Sequence, residues 1–253
     1  MRVKNDWHKD FFRNSFYNPA SPAAVAKAPM EVDFILKQLR LRKGARLLDL
    51  CCGPARHSIL LAKKGLAVTG YDYSADYLKE ASAKAKKAGV KLTLVRGDMR
   101  RLDFNGGFDA VINLFTSFGY FQRFSEDLKT LKGAARALKP GGFFLIDLIH
   151  GDFLRKNFRA RTWGKAEDGS YTLEETELSG DGIHSAWTVI KKGRVSEKSF
   201  FTRLYSKNRL SSALRQAGLK PVKFWGGFHG EKLTDGTDRL IALAVKQKPA
   251  RKS

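Results

Sequence analysis

The chain has 253 residues, 43% hydrophobic and 11% aromatic, enough apolar side chain to bury an ordinary core without disulfide or metal staples. Its 47 Lys and Arg against 25 Asp and Glu give a formal net charge of +22, spread along the whole chain and heaviest toward the C-terminus, so weak nonspecific nucleic-acid binding is expected and oligomeric state is left open. No run of about 18 uncharged apolar residues and no signal-peptide core is present, so no membrane contact is expected; adjacent Cys51 and Cys52 suit neither an ordinary bridge nor a zinc site, so the expected setting is cytoplasmic and metal-free.

Residues 1–44 read as a helical cover, with an aromatic-rich start and a helix over Ser21 to Leu39. From residue 45 short apolar runs alternate with helical segments: Arg46 to Leu50, Arg56 to Lys64, Leu66 to Tyr71, Ala75 to Ala88, Lys91 to Val95 and Phe108 to Leu114. A helix over Glu126 to Leu138, a Lys139-Pro140-Gly141-Gly142 turn and the run Phe143 to Leu148 complete a 45–150 core of βαβ units around a parallel sheet. Residues 151–206 break that rhythm: Tyr171 to Leu178, Ser185 to Lys191 and Val195 to Tyr205 are strand-like runs joined by glycine turns, an antiparallel insert expected to form a substrate lid. Residues 207–247 return to the core pattern, with Ser206 capping a helix over Arg209 to Ala217, then strands near Val222 to Trp225 and Leu240 to Val245. A basic tail occupies 248–253. The fold class is therefore α/β, Rossmann-like, with a seven-stranded, mostly parallel sheet and helices on both faces.

The stretch Leu47-Leu48-Asp49-Leu50-Cys51-Cys52-Gly53-Pro54-Ala55-Arg56-His57-Ser58 is a buried strand running into a tight turn and a helix. Such a turn lets a small molecule lie against backbone at Gly53 and offers helix N–H groups to an anion. Asp72 stands at the end of the next strand, where nucleotide-binding folds hold ribose hydroxyls. A dinucleotide fits poorly, since Ala55 and Ser58 stand where second and third glycines would be, and no Gly-Lys-Ser/Thr follows for a P-loop.

With Gly97-Asp98-Met99 after the third strand, Asp109 to Phe115 as the fourth and Leu138-Lys139-Pro140-Gly141-Gly142 before the fifth, the chain resembles the class I S-adenosylmethionine-dependent methyltransferases over most of residues 40 to 150. The phrase DLCCGPARHS is similar to that of a branch of small bacterial members, with Ala55 replacing the usual second glycine. The resemblance implies that Asp49 and Gly53 line the methionine end of S-adenosylmethionine, Asp72 holds the ribose, Asp98 and Met99 hold adenine, and Asn113, Leu114 and Phe115 wall the sulfonium, with Cys51, Tyr73 and Tyr17 in the same binding set. Methyl transfer to an O, N or C nucleophile of a small molecule is implied, with an RNA methyltransferase or a non-catalytic cofactor- or nucleic-acid-binding module as alternatives. Tyr120, Arg203 and His57 are the candidates for a catalytic part. Arg203 and Tyr205, two apart on one strand, share a face that points to substrate or to solvent.

Overall fold

The computed structural model describes residues 3–4, 6–12 and 16–247; the basic tail at 248–253 lies outside them. Seven strands form one sheet in the order β10-β11-β5-β4-β1-β2-β3. In chain order these are β1 (Arg46–Leu50), β2 (Ala67–Asp72), β3 (Thr93–Arg96), β4 (Phe108–Asn113), β5 (Leu138–Ile149), β10 (Leu219–Trp225) and β11 (Arg239–Lys246). The first five run parallel, while β11 is antiparallel to both β5 and β10. No described helix is long and apolar enough to cross a membrane.

Helices cover both faces because the central strands are apolar on both. On one face Leu48, Leu50, Val111, Phe144 and Ile146 pack against α5 (Phe124–Ala137) and α7 (Lys207–Gln216) through Leu131, Leu210 and Leu214. On the other, Leu47, Ile112, Leu145 and Ile241 meet α2 (Pro22–Leu39) and α3 (Arg56–Lys63) through Val32, Ile35, Leu39 and Leu61. Each fully buried side chain of this size stabilises the fold by about 1.5 to 3 kcal/mol. Helix α4 (Ala75–Lys87) lies against β2 and β3. The helix starts follow ordinary capping: Ser21, Ser74 and Ser206 accept from the backbone N–H three residues on, at Ala24, Tyr77 and Arg209.

The insert is a separate four-stranded antiparallel sheet, β6 (Arg161–Lys165), β7 (Tyr171–Ser179), β8 (Gly182–Lys191) and β9 (Arg194–Arg203). Lys192 and Gly193, at φ 48° and 71°, make the two-residue β8–β9 turn, whose left-handed pair matches the twist of the flanking strands. Strand β6 escaped the sequence reading because RTWGK is exposed throughout and shows no hydrophobic alternation. The expected Lys139–Gly142 turn is instead the irregular start of β5, where Gly141 at φ 80° accompanies a register shift against β4. Short helices α1 (His8–Phe11) and α6 (Gly151–Lys156) and a single 3-10 turn over Met99–Arg101 complete the described elements.

A third apolar cluster joins the chain start to the insert. Val3, Trp7 and Phe11 pack on Phe200 and Phe201, with Phe12, Phe16, Tyr17, Tyr120 and Trp187 around them. Both additions to the core thus meet over the carboxyl ends of the parallel strands. Replacing Ser206 by Ala should lower stability by about 1 kcal/mol through loss of the α7 cap, read as a denaturant midpoint shift at unchanged slope.

Candidate functional site

The strand-to-helix turn after β1 is built from left-handed backbone. Cys51, Gly53 and Ala55 have φ of 63°, 54° and 65°, and the N–H groups of Cys51 and Cys52 both donate to Tyr71 O, at 2.7 and 3.1 Å. Glycine adopts such angles freely, whereas Cys51 and Ala55 carry a penalty of roughly 1 to 2 kcal/mol each. Ala55 is fully buried and lies outside the wall of the adjoining cleft. The residue that replaces the usual second glycine thus keeps a glycine-like backbone angle, and its cost falls on the backbone.

Three carboxylates sit at the ends of β1, β2 and β3. Asp72 accepts from Gly53 N and Ser74 N, both at 2.8 Å, and burial pushes its carboxyl up to about 6 despite those bonds. Asp49, the penultimate residue of β1, is buried and accepts from Ser58 Oγ at 2.5 Å; burial raises it as well, against the opposing influence of His57 and Arg56. Asp98 accepts from Arg100 N and Nε at 2.9 and 3.0 Å, and this pairing overcomes partial burial to hold its carboxyl low. Arg100 also bonds Glu126 at 3.1 Å and lies 4.5 Å from the Phe121 ring centroid. Met99 Sδ is 3.5 Å from Cys51 Sγ, and burial drives the Cys51 and Cys52 thiols well above their ordinary range, so both are neutral.

The opposite wall follows β4. Phe115 and Thr116 are consecutive left-handed residues, φ 57° and 55°. Asp147 on β5 holds them, accepting from Phe115 N through its carboxylate at 2.8 Å and from Thr116 N through its backbone oxygen at 3.0 Å. Arg239 of β11 pairs with the Asp147 carboxylate at 2.8 Å and reaches Thr116 Oγ1 at 3.2 Å. Phe115 stays half-exposed, with the Arg56 guanidinium 4.5 Å from its ring centroid. Beside it the His57 Nε2 hydrogen-bonds the buried Glu31 at 2.5 Å, a partner on α2 that no local sequence signal announced.

These walls enclose one cleft with about 980 Å³ of empty space, counting its open mouth. Of the residues singled out from sequence, Tyr17, Asp49, Cys51, Gly53, His57, Asp72, Tyr73, Asp98, Met99, Leu114, Phe115 and Tyr120 line it. Asn113 does not: it is buried behind the wall and donates to Leu50 O and Ser117 O, at 3.0 and 3.2 Å. Arg203 does not either. It and Tyr205 do share a face, but that face meets Asp127 of α5, whose Oδ2 accepts from Arg203 Nε at 2.8 Å and from Tyr205 OH at 2.7 Å. Lining residues that the sequence reading missed include Arg56, Tyr77 and Gly97. Gly97 has a tight reason to be glycine, since a Cβ there would stand 1.9 Å from the Tyr71 hydroxyl.

The acceptor-rich lining suits a ligand that carries positive charge and hydrogen-bond donors, since Asp49, Asp72 and Asp98 line it with aromatic walls between. Residues 47–142 match the family described as a methyltransferase domain. YqeM of Bacillus subtilis (strain 168), provisionally named a methyltransferase, is 40% identical over 216 residues, covering 82% of this chain and 87% of that protein. A glycine/sarcosine N-methyltransferase of Halorhodospira halochloris is 35% identical over 226 residues, covering 88% and 83%. Among solved structures, an S-adenosylmethionine-dependent methyltransferase from Clostridium acetobutylicum ATCC 824 superposes with a TM-score of 0.78 at 21% identity, covering 88% of this chain and 92% of the other. The chain belongs to the S-adenosylmethionine-dependent methyltransferases, and it is an enzyme that takes that cofactor.

Two outcomes follow from the geometry. Ala55→Gly exchanges backbone relief of about 1 to 2 kcal/mol for a lost methyl contact of about 0.8 kcal/mol and added chain entropy, so its stability should stay within about 1 kcal/mol of wild type. Ala55→Val, β-branched at positive φ, should lose more than about 2 kcal/mol; chemical denaturation separates the two. The buried Asp72 binds its proton more tightly folded than unfolded, so its contribution to stability falls as pH rises from about 4 through about 6. Asp72→Asn should flatten that part of the stability profile, measured by denaturant titration at each pH.

Proposed function

We infer that the cleft binds S-adenosylmethionine across the ends of β1, β2 and β3 and delivers its methyl group to an amine of a small molecule. The observation that carries this reading is the convergence of Asp49, Asp72 and Asp98 on one cleft. Asp72 would accept from the ribose hydroxyls, since the backbone N–H groups that bond its two oxygens leave acceptor capacity free. Asp49, with Gly53 and the thiol of Cys51 beside it, would face the methionine end. Asp98, Met99 and Tyr73 would flank adenine, Asp98 sharing its carboxylate between the amino group and Arg100. Leu114, Phe115 and Tyr17 would enclose the reacting end, with Asn113 bracing that wall from behind.

The cofactor, when bound, supplies a methyl group already activated by the sulfonium. What the chain must add is alignment at near-attack distance and exclusion of water. A nucleophile needing a strong base is poorly served here: His57 Nε2 is engaged by Glu31, and burial pushes Tyr17 up to about 12 and Tyr120 well above the ordinary range. An amine that brings its own lone pair fits that inventory, and the 35% identical relative is named for N-methylation. Phe12 and Tyr17 reach the cleft from the N-terminal cover, and Trp187 of the insert packs 5.9 Å from the Tyr17 ring. That supports the two additions closing the acceptor side. The free thiols of Cys51 and Cys52 suit a reducing, cytoplasmic setting, and the basic excess suits weak, salt-sensitive contact with nucleic acid.

Calorimetry with S-adenosylmethionine and its demethylated product tests the site. Asp72→Ala should weaken binding tenfold to a hundredfold, about 1.5 to 3 kcal/mol; wild-type affinity should also decline as pH falls through about 6, where Asp72 becomes protonated. Absence of wild-type binding would sink the reading. Labelled methyl incorporation into panels of small amines, alcohols and transfer RNA decides the acceptor, and with an amine the rate should climb with pH until the acceptor is deprotonated. Stoichiometric methylation of an RNA would overturn the small-molecule assignment.

A further inference from the structure

We propose that Arg203 is a positioning residue of the methyl-transfer site: it fixes Tyr120 and Phe121 in the cleft wall and so couples the insert to cofactor binding. Residues 117–123 form neither helix nor strand, so no ladder sets their path, yet Tyr120 and Phe121 both line the cleft. Such a segment keeps one conformation only if its carbonyl groups find partners elsewhere. Four consecutive carbonyl oxygens do. Gly119 O accepts from Arg203 N at 2.7 Å, Tyr120 O from Trp7 Nε1 at 3.3 Å, and Phe121 O and Gln122 O both from Arg203 Nη2, at 2.9 and 2.8 Å.

One arginine therefore supplies three of the four contacts, through its backbone and the two protons of a single guanidinium nitrogen. The rest of the guanidinium is also engaged. Nε donates to Asp127 Oδ2 at 2.8 Å, and Nη1 meets Asp181 in the β7–β8 turn, which Arg209 joins as well. Arg203 is buried, the Phe124 and Phe201 rings lie 6.0 and 5.6 Å from its guanidinium, and Gly119 at φ 86° allows the close approach, since a Cβ there would stand 3.0 Å from Arg203 O. A lysine keeps the charge but cannot span carboxylate and carbonyls in one plane. The last strand of the insert thus grips, from behind, the wall against which the cofactor would rest, and freeing that grip makes each binding event order the loop anew.

The inference rests on the cleft being the cofactor site, so wild type is measured alongside the variants. In Arg203→Lys, calorimetry with S-adenosylhomocysteine should give an unchanged stoichiometry and a Kd raised about tenfold. The KM for S-adenosylmethionine should rise more than kcat falls, and amide exchange at residues 119–122 should quicken. Asp181→Asn, which removes an insert ion pair and spares the carbonyl contacts, should leave Kd within about twofold. If Arg203→Lys does not fold, Asp127→Asn decides: it keeps the shape of the guanidinium partner and loses its charge, and a Kd raised about threefold supports the inference. A lowered melting temperature with unchanged Kd and unchanged loop exchange marks Arg203 as merely structural and overturns it. Wild type that binds no S-adenosylhomocysteine removes the cofactor site itself, and this inference with it.

Discussion

The cleft depends on one carboxylate, Asp72, tying two strands together through backbone. Its two oxygens take the N–H groups of Gly53, on the turn after β1, and of Ser74, the cap of α4. An unpaired N–H in the left-handed turn would be costly to bury, and so would the carboxylate, but each satisfies the other. The same bonds fix the turn where Cys51, Gly53 and Ala55 adopt left-handed angles, and they hold Asp72 in the lining of the cleft. Burial, with the nearby Asp49 carboxylate, still raises the carboxyl to about 6 against the backbone N–H groups that bond it. A ligand donating hydroxyls would complete that compensation.

Elsewhere the walls repeat this device, in which a buried charged side chain holds irregular backbone. Asp147 and Arg239 hold the Phe115–Thr116 pair, two non-glycine residues in succession at positive φ, a conformation that persists only where surrounding bonds over-determine it. Asp127 and Arg203 do the same for the next turn of chain. The sheet supplies rigidity; the chemistry hangs on loops at its carboxyl edge, where parallel strands end and their side chains and N–H groups are free to face a ligand.

The sequence was most legible where physics is local. Alternation of apolar runs with amphipathic helices pointed to the seven-stranded sheet, and Ser206 marked the start of α7 as its cap. Asp72 was legible because it ends the second strand, and Asp49 and Asp98 through the motifs that carry the family resemblance. Long-range pairing was hidden. Nothing near His57 announces Glu31, 26 residues away, and the alternation of Arg203 with Tyr205 revealed a shared face without revealing that the face meets Asp127. Strand β6 was hidden for a different reason, since an edge strand exposed on both faces has no hydrophobic period to read.

Charge shows the same separation of scales. A chain with 47 basic and 25 acidic side chains creates a field that disfavours approach of a cation, yet its cleft is lined by Asp49, Asp72 and Asp98. Exposed charges are screened within about 8 Å at physiological ionic strength, whereas buried groups act in a medium that screens them far less. Asp49, Asp72 and Asp98 therefore act more strongly on a ligand inside the cleft than the distant, exposed lysines and arginines do. A sulfonium ligand that gives up its methyl group also gives up a positive charge, so carboxylates beside it would favour its entry and hold the neutral thioether product less strongly.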